Sequence, residues 1–161
     1  MGLPQTIIDL ENRYVGKTGE PTLGRALELA EAEWRSGNSG RELRLHLLFL
    51  IWYCNVEPPF LTGFNGSAIP GSRLALLFHE VYETFAGEIM DDVECLYVVG
   101  LMALIAPWAL GGDVAMWEAR SEAFKTRYRI LRPGGLSPAH FEGRGAYGYY
   151  FSGQVAVPGG F

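Results

Sequence analysis

From Cys95 to Leu110 the chain reads CLYVVGLMALIAPWAL, a run without one charged side chain, bracketed by Glu94 and Asp113. Such a segment has two destinations, a bilayer or a protein core. A membrane span needs about 20 apolar residues; this run is shorter, and Pro107 interrupts it. It is therefore expected as a core helix, apolar on nearly every side, with Trp108 packed beneath the loop after Pro107. A helix of that kind must be surrounded, so the rest of the chain has to supply its walls.

The flanking sequence has the material. Pro4 suits a first helical turn, and Ile7, Ile8, Leu10 and Tyr14 make an apolar stripe. Thr22 is a candidate N-cap for a helix through Leu23, Leu27, Ala30 and Trp34, ended by Gly37. Ser39 and Glu42 have capping-box spacing and open a helix through Leu45, Leu48, Phe49 and Trp52 that Pro58-Pro59 stops. Ser72 is read as the cap of a helix carrying Leu74, Leu77, Phe78, Val81, Tyr82 and Phe85. Asp91 and Glu94 repeat the capping-box geometry ahead of the uncharged run, and Asp113 caps a helix with Trp117, Phe124, Tyr128 and Leu131 on one stripe. No segment shows sustained period-two alternation. The spacing predicts an all-α fold of about six main helices. At 161 residues and 48% hydrophobic, the chain suits one self-sufficient domain, read as residues 1–151 with a frayed tail at 152–161.

An internal match suggests how the helices are arranged. At an offset of 48 residues Arg25 falls on Arg73, Trp34 on Tyr82, and Leu48-Phe49 on Leu96-Tyr97; Pro59-Phe60-x-x-Gly63 falls on Pro107-Trp108-x-x-Gly111. A shorter amphipathic helix followed by a longer apolar one would then recur, as stacked antiparallel pairs in a bundle or short solenoid-like array. The stretch Ala30-x-Ala-x-x-x-x-Gly37-Asn38 resembles the first helix and turn of a tetratricopeptide repeat. The resemblance is local. It departs where that family has a small residue and a short second helix, because Glu42 stands there and the helix is longer, so no family membership follows.

Candidate chemistry is sparse. His79 and Glu83 share a helix face four residues apart, but the second His of a metalloprotease motif is absent. Cys54 and Cys95 lie in apolar or acidic surroundings that oppose a reactive thiolate, and read as small core residues. His46, among leucines and Phe49, reads as a satisfied, partly buried histidine. Ser137 to Gln154 combines His140, Glu142, Arg144, three tyrosines and four glycines. It reads as a loop presenting Arg144 and Tyr147, or as a cap whose aromatics lie on the last helix pair while Arg144 bridges a carboxylate. No phosphate-binding glycine loop or nucleophile elbow is present. The sequence points to no cofactor and no metal.

Charge completes the reading. The net charge of −5 opposes general nucleic-acid binding. Residues 64–113 hold one basic residue, Arg73, against seven acids, and Glu88, Asp91, Asp92 and Glu94 crowd one helix junction. Met1 to Gly19 carries Asp9, Glu11 and Arg13 and lacks the apolar core of a secretory signal, so a cytoplasmic location is expected. The chain reads as a non-enzymatic helical protein acting by binding another protein, with a basic partner expected from the charge. Small acidic bacterial proteins that neutralise a toxin are an analogy for an immunity- or adaptor-like role. The expected contact residues are Glu88, Asp91, Asp92, Glu94, Phe60, Phe64, Arg144 and Tyr147. The alternative is a small-molecule or metal-binding enzyme with a pocket between helices using His79, Glu83, His140 or Arg144.

Overall fold

The computed structural model describes residues 2–17, 19–158 and 160–161. Among them are eight α-helices and no strand: α1 (Gln5–Val15), α2 (Leu23–Arg35), α3 (Arg41–Val56), α4 (Pro59–Thr62), α5 (Leu74–Ala86), α6 (Val93–Ile105), α7 (Val114–Leu131) and α8 (Gly145–Val155). The all-α expectation holds. The count exceeds six because α4 is a single turn after Pro58 and because residues 145–155 form a helix despite Gly145, Gly148 and Gly153. Interior glycine costs a helix roughly 1 kcal/mol relative to alanine, so α8 owes its stability to packing. Ala146, Tyr147 and Phe151 are buried, and Gly148 lies so close to the Phe141 carbonyl that a Cβ there would overlap it.

The uncharged run is enclosed as expected. Every residue of α6 from Glu94 to Ala103 is buried. The hydroxyl of Ser121 on α7 donates to the Gly100 carbonyl at 2.8 Å, and the Phe161 ring fills the space that a side chain at 100 would need. No helix among the described residues is long and apolar enough to cross a membrane. Trp108 corrects the sequence reading. The 3₁₀ turn Pro107–Leu110 buries Ala109 and Leu110 and turns Trp108 outward, 58% exposed.

The caps are partly relocated. Ser39 is exposed and caps nothing; Gly40 precedes α3, and the Asn38 carboxamide oxygen accepts from the Gly40 N–H at 3.1 Å. Asp92, not Asp91, caps α6, accepting from the Cys95 N–H at 3.0 Å. The Thr22 hydroxyl donates to the Leu10 carbonyl and so ties α1 to α2 instead of capping α2. Ser72 lies within the 3₁₀ turn Gly71–Arg73 and makes no cap bond. Asp113 caps α7 as expected, accepting from the Ala115 N–H at 3.0 Å.

In the packing order, α1 lies against α2 and α8, α2 against α3, α3 against α5, and α6 against α7. The helices and the two Pro-aromatic turns do recur near the 48-residue offset. Equivalent packing does not, since α5 takes α3 as its main helical partner while α6 takes α7. The last helix packs mainly on α1 and also on α3, while Phe141 and Phe151 meet Tyr97 of α6. It runs on to Val155, past residue 152 where a frayed tail was expected, and Phe161 is buried against Tyr97 and Tyr128.

Candidate functional site

Four helices each carry an ionisable residue to one buried point. On α1 the inward stripe passes from Ile7 to Glu11, one turn on, and Glu11 is fully buried. On α3, Glu42 and His46 are four residues apart on one face. Glu94 sits in the first turn of α6, 5% exposed. Arg144 precedes α8, and Tyr147 follows within its first turn, fully buried.

Their geometry is that of a closed ionic cluster. His46 Nδ1 is 2.7 Å from Glu11 Oε2, and its Nε2 is 3.0 Å from Glu42 Oε1. The Arg144 guanidinium donates to both oxygens of Glu42 at 2.8 and 2.7 Å and lies 2.6 Å from Glu94 Oε1. The Tyr147 hydroxyl donates to the same Glu94 oxygen at 2.7 Å, its N–H donates to Glu11 Oε1 at 3.1 Å, and its ring stacks on His46 at 4.7 Å. At the outer edge, His140 Nε2 and Arg41 Nη1 each lie 3.2 Å from Glu94 Oε2, and Arg41 also pairs with Asp92 at 2.9 Å.

The proton positions follow from this packing. Burial alone would lower the His46 imidazole; the Glu11 and Glu42 carboxylates outweigh it and raise His46 to about 9. Burial would raise Glu42, but His46 and Arg144 bring it down to about 2. Burial likewise opposes the Glu94 carboxylate, and the Tyr147 hydroxyl and Arg144 bring it below its usual value. Burial, then the Glu94 charge, push Tyr147 well above the ordinary phenol range. His46 is thus an imidazolium at neutral pH, donating from both nitrogens. It has no free lone pair with which to act as a base. The cluster can clamp four segments together; it does not present an acid–base pair to a substrate.

The expected contact residues therefore divide. Glu94 and Tyr147 are buried in the cluster and offer no side chain to a partner. Arg144 is committed to Glu42 and Glu94, which agrees with the carboxylate-bridging reading of this segment. Asp92 is occupied as a cap and by Arg41, and Asp91 pairs with Arg127 at 3.0 Å. Glu88 is exposed and has no ion-pair partner among the described residues. Phe64 is half-buried, and Phe60 is 70% exposed.

The residues of the enzymatic alternative do not converge. His79 and Glu83 form an exposed pair at 3.7 Å on α5, whereas His140 and Arg144 both contact Glu94. Among the described residues no group of three or more His, Cys, Asp or Glu is arranged to hold a metal ion. Both cysteines are buried thiols; burial pushes Cys54 up to about 12 and Cys95 further.

Sequence reasoning missed Glu11 and Glu42 as partners of His46. Two signals were available: an acid on the inward stripe of α1, and the Glu42-x-x-x-His46 spacing. It also missed the exposure of Trp108. The turns Pro59–Gly63 and Pro107–Gly111 have the same form: proline at the first position, an exposed aromatic next, and a closing glycine at φ +79° and +80°. Both turns sit at the end of the bundle where α3 and α6 terminate, linked by the Asn55 side chain donating to the Ala109 carbonyl at 3.2 Å. The chain matches no protein-family model, no curated protein and no solved structure, so its function is argued from this geometry alone.

Proposed function

We propose that the protein is a non-enzymatic binding protein, immunity- or adaptor-like, whose contact surface is the end of the bundle bearing Phe60 and Trp108. One observation carries this reading: two matching turns each expose a large aromatic side chain at the same end, 70% and 58% exposed. Leu61, Leu104, Ile105 and Val114 on the adjoining segments are exposed as well. Aromatic anchors of this kind dominate the energy of protein interfaces, and contiguous apolar surface marks interaction sites.

The surrounding charge selects the partner. Residues 56–72 and 104–118 contain Glu57, Asp113 and Glu118 and no Lys or Arg. This surface suits a protein that offers an apolar patch flanked by basic side chains, and it is unsuited to an anionic lipid surface. The acidic junction at Glu88 to Glu94 contributes less, because most of its carboxylates already have cations of their own.

The test places a photo-crosslinking amino acid at position 60 or 108, identifies the captured protein, and measures its affinity for purified variants. Phe60→Ser and Trp108→Ser should each weaken binding at least tenfold. Met90→Ser and Ile130→Ser, at the other end of α6 and α7, should leave it unchanged. Absence of a stoichiometric crosslink, or wild-type affinity in both aromatic variants, overturns the reading.

A further inference from the structure

A cleft of about 680 Å³ opens between α1, α3 and α8, bordered on one side by Leu61 next to Phe60. Its walls are aromatic. Tyr14, Tyr53, Tyr149 and Tyr150 line it, and Phe49 closes its base, 1% exposed. The plane of Tyr53 stands 83° from that of Tyr14 and 71° from that of Tyr150, with ring centroids 5.8 and 5.7 Å apart. Tyr53 therefore meets both neighbours edge to face instead of stacking flat on them. The Tyr14 and Tyr53 hydroxyls are 3.0 Å apart, one donating to the other.

Charge distinguishes this cleft from an ordinary apolar groove. Neither Lys nor Arg lines it. One helical turn beyond Tyr53, at the end of α3, stands Glu57, which has no cation partner among the described residues. We propose that the cleft is an aromatic cage for a small organic cation of the quaternary ammonium class, with Glu57 as the nearby counter-charge. The negative faces of aromatic rings attract such cations, more strongly as desolvation increases. A methylated ammonium gives up little hydration on entering an apolar cleft, whereas a primary amine or metal ion would lose the water that stabilises it. An acidic ligand would meet Glu57 with no compensating cation. The electrostatic reach of Glu57 is visible in the tyrosines: burial first, and then the Glu57 charge, push Tyr150 up to about 12. Tyr150 consequently stays a neutral phenol at physiological pH. The volume falls in the range of small-molecule sites.

The experiment titrates the protein with choline, with tetramethylammonium, and with 3,3-dimethylbutan-1-ol, the uncharged carbon isostere of choline, by calorimetry. Choline and tetramethylammonium should bind, and the neutral alcohol should bind at least tenfold more weakly. Tyr150→Leu keeps an apolar wall but removes a ring face, and Glu57→Gln removes the charge; each should weaken choline binding at least threefold, with circular dichroism melts confirming that both variants are folded. Absence of choline binding overturns the proposal. So does equal binding of the alcohol, or choline affinity unchanged in both folded variants. None of these outcomes bears on the protein-binding surface, which lacks choline in its assay.

Discussion

The Arg144 guanidinium grips both carboxylate oxygens of Glu42, at 2.8 and 2.7 Å, across a sequence separation of 102 residues. That contact fastens the start of α8 to the start of α3. Its planar two-point geometry is one that arginine provides and lysine does not. Arg144→Lys should therefore behave as a damaging substitution. Arg144 and Glu42 are partly buried, so the loss should fall below the about 3–5 kcal/mol of a fully buried pair, and part of it is expected even for lysine. Amide hydrogen exchange should show α8 opening well before α6 and α7. Protection of α8 equal to wild type would contradict the clamp.

His46→Ala leaves Glu11 buried with its main cationic partner gone. The expected loss is about 3–5 kcal/mol in urea unfolding. His79→Ala, on the exposed face of α5, should change stability by less than about 0.5 kcal/mol. Similar losses for the two histidines would mean that the buried cluster has no special weight.

Stability should depend on pH from both sides. His46 rises from an ordinary 6.5 to about 9 on folding. Its contribution is complete below pH 6.5 and is lost as pH climbs through 9. Glu42 falls from 4.5 to about 2, so its contribution is complete above pH 4.5 and is lost as pH drops towards 2. Thermal midpoints should be highest between pH 4.5 and 6.5. His46→Gln should flatten the alkaline arm and leave the acid arm sloping. An unchanged alkaline slope in that variant would assign it to another group.

The caps separate two residues that look alike in sequence. Asp92→Ala should cost about 1 kcal/mol or more, since its carboxylate caps α6 and also pairs with Arg41. Ser39→Ala should stay within about 0.5 kcal/mol, because that hydroxyl caps nothing. Chemical denaturation of the two variants decides between them.

Gly63 has a left-handed backbone at φ +79°, and a Cβ there would overlap the Pro21 carbonyl. Gly63→Ala should cost more than the 1–2 kcal/mol of the backbone conformation alone. Gly37, at φ +101° with open space around it, should tolerate alanine better. Equal melting temperatures for the two would remove the close approach between α4 and the entry to α2 from the account.

What the sequence disclosed was the part written in local spacing. The stripes of α2, α5 and α7, the Asp113 cap and the enclosed run of α6 all depend on residues within a few positions of one another. The Asp91 reading slipped by one residue because Asp91 has the capping-box spacing to Glu94; the Cys95 N–H and Arg41 instead meet Asp92. Residues 145–155 were read as a loop because their glycines are poor helix formers, and nothing local reports that Phe49 of α3 waits to pack on Tyr147 and Phe151. The cluster was hidden for the same reason. His46 meets Glu11 from 35 residues away, and Glu94 meets Tyr147 from 53. Trp108 looked like a core residue by composition, and its exposure depends on the turn that Pro107 and Gly111 impose.

The long reach of this cluster sets an order on biosynthesis. Glu11, Glu42 and Glu94 leave the ribosome before Arg144 and Tyr147. At about 5–20 residues per second, the 53 residues separating Glu94 from Tyr147 correspond to an interval of roughly 3–10 s. During that interval the three carboxylates have only His46 and, at the outer edge, Arg41 as cations. Closing the core early would leave Glu42 and Glu94 without the guanidinium that bridges them. A transcript cut short before Arg144 would yield a product unable to complete its interior, exposed to proteolysis from the moment of release.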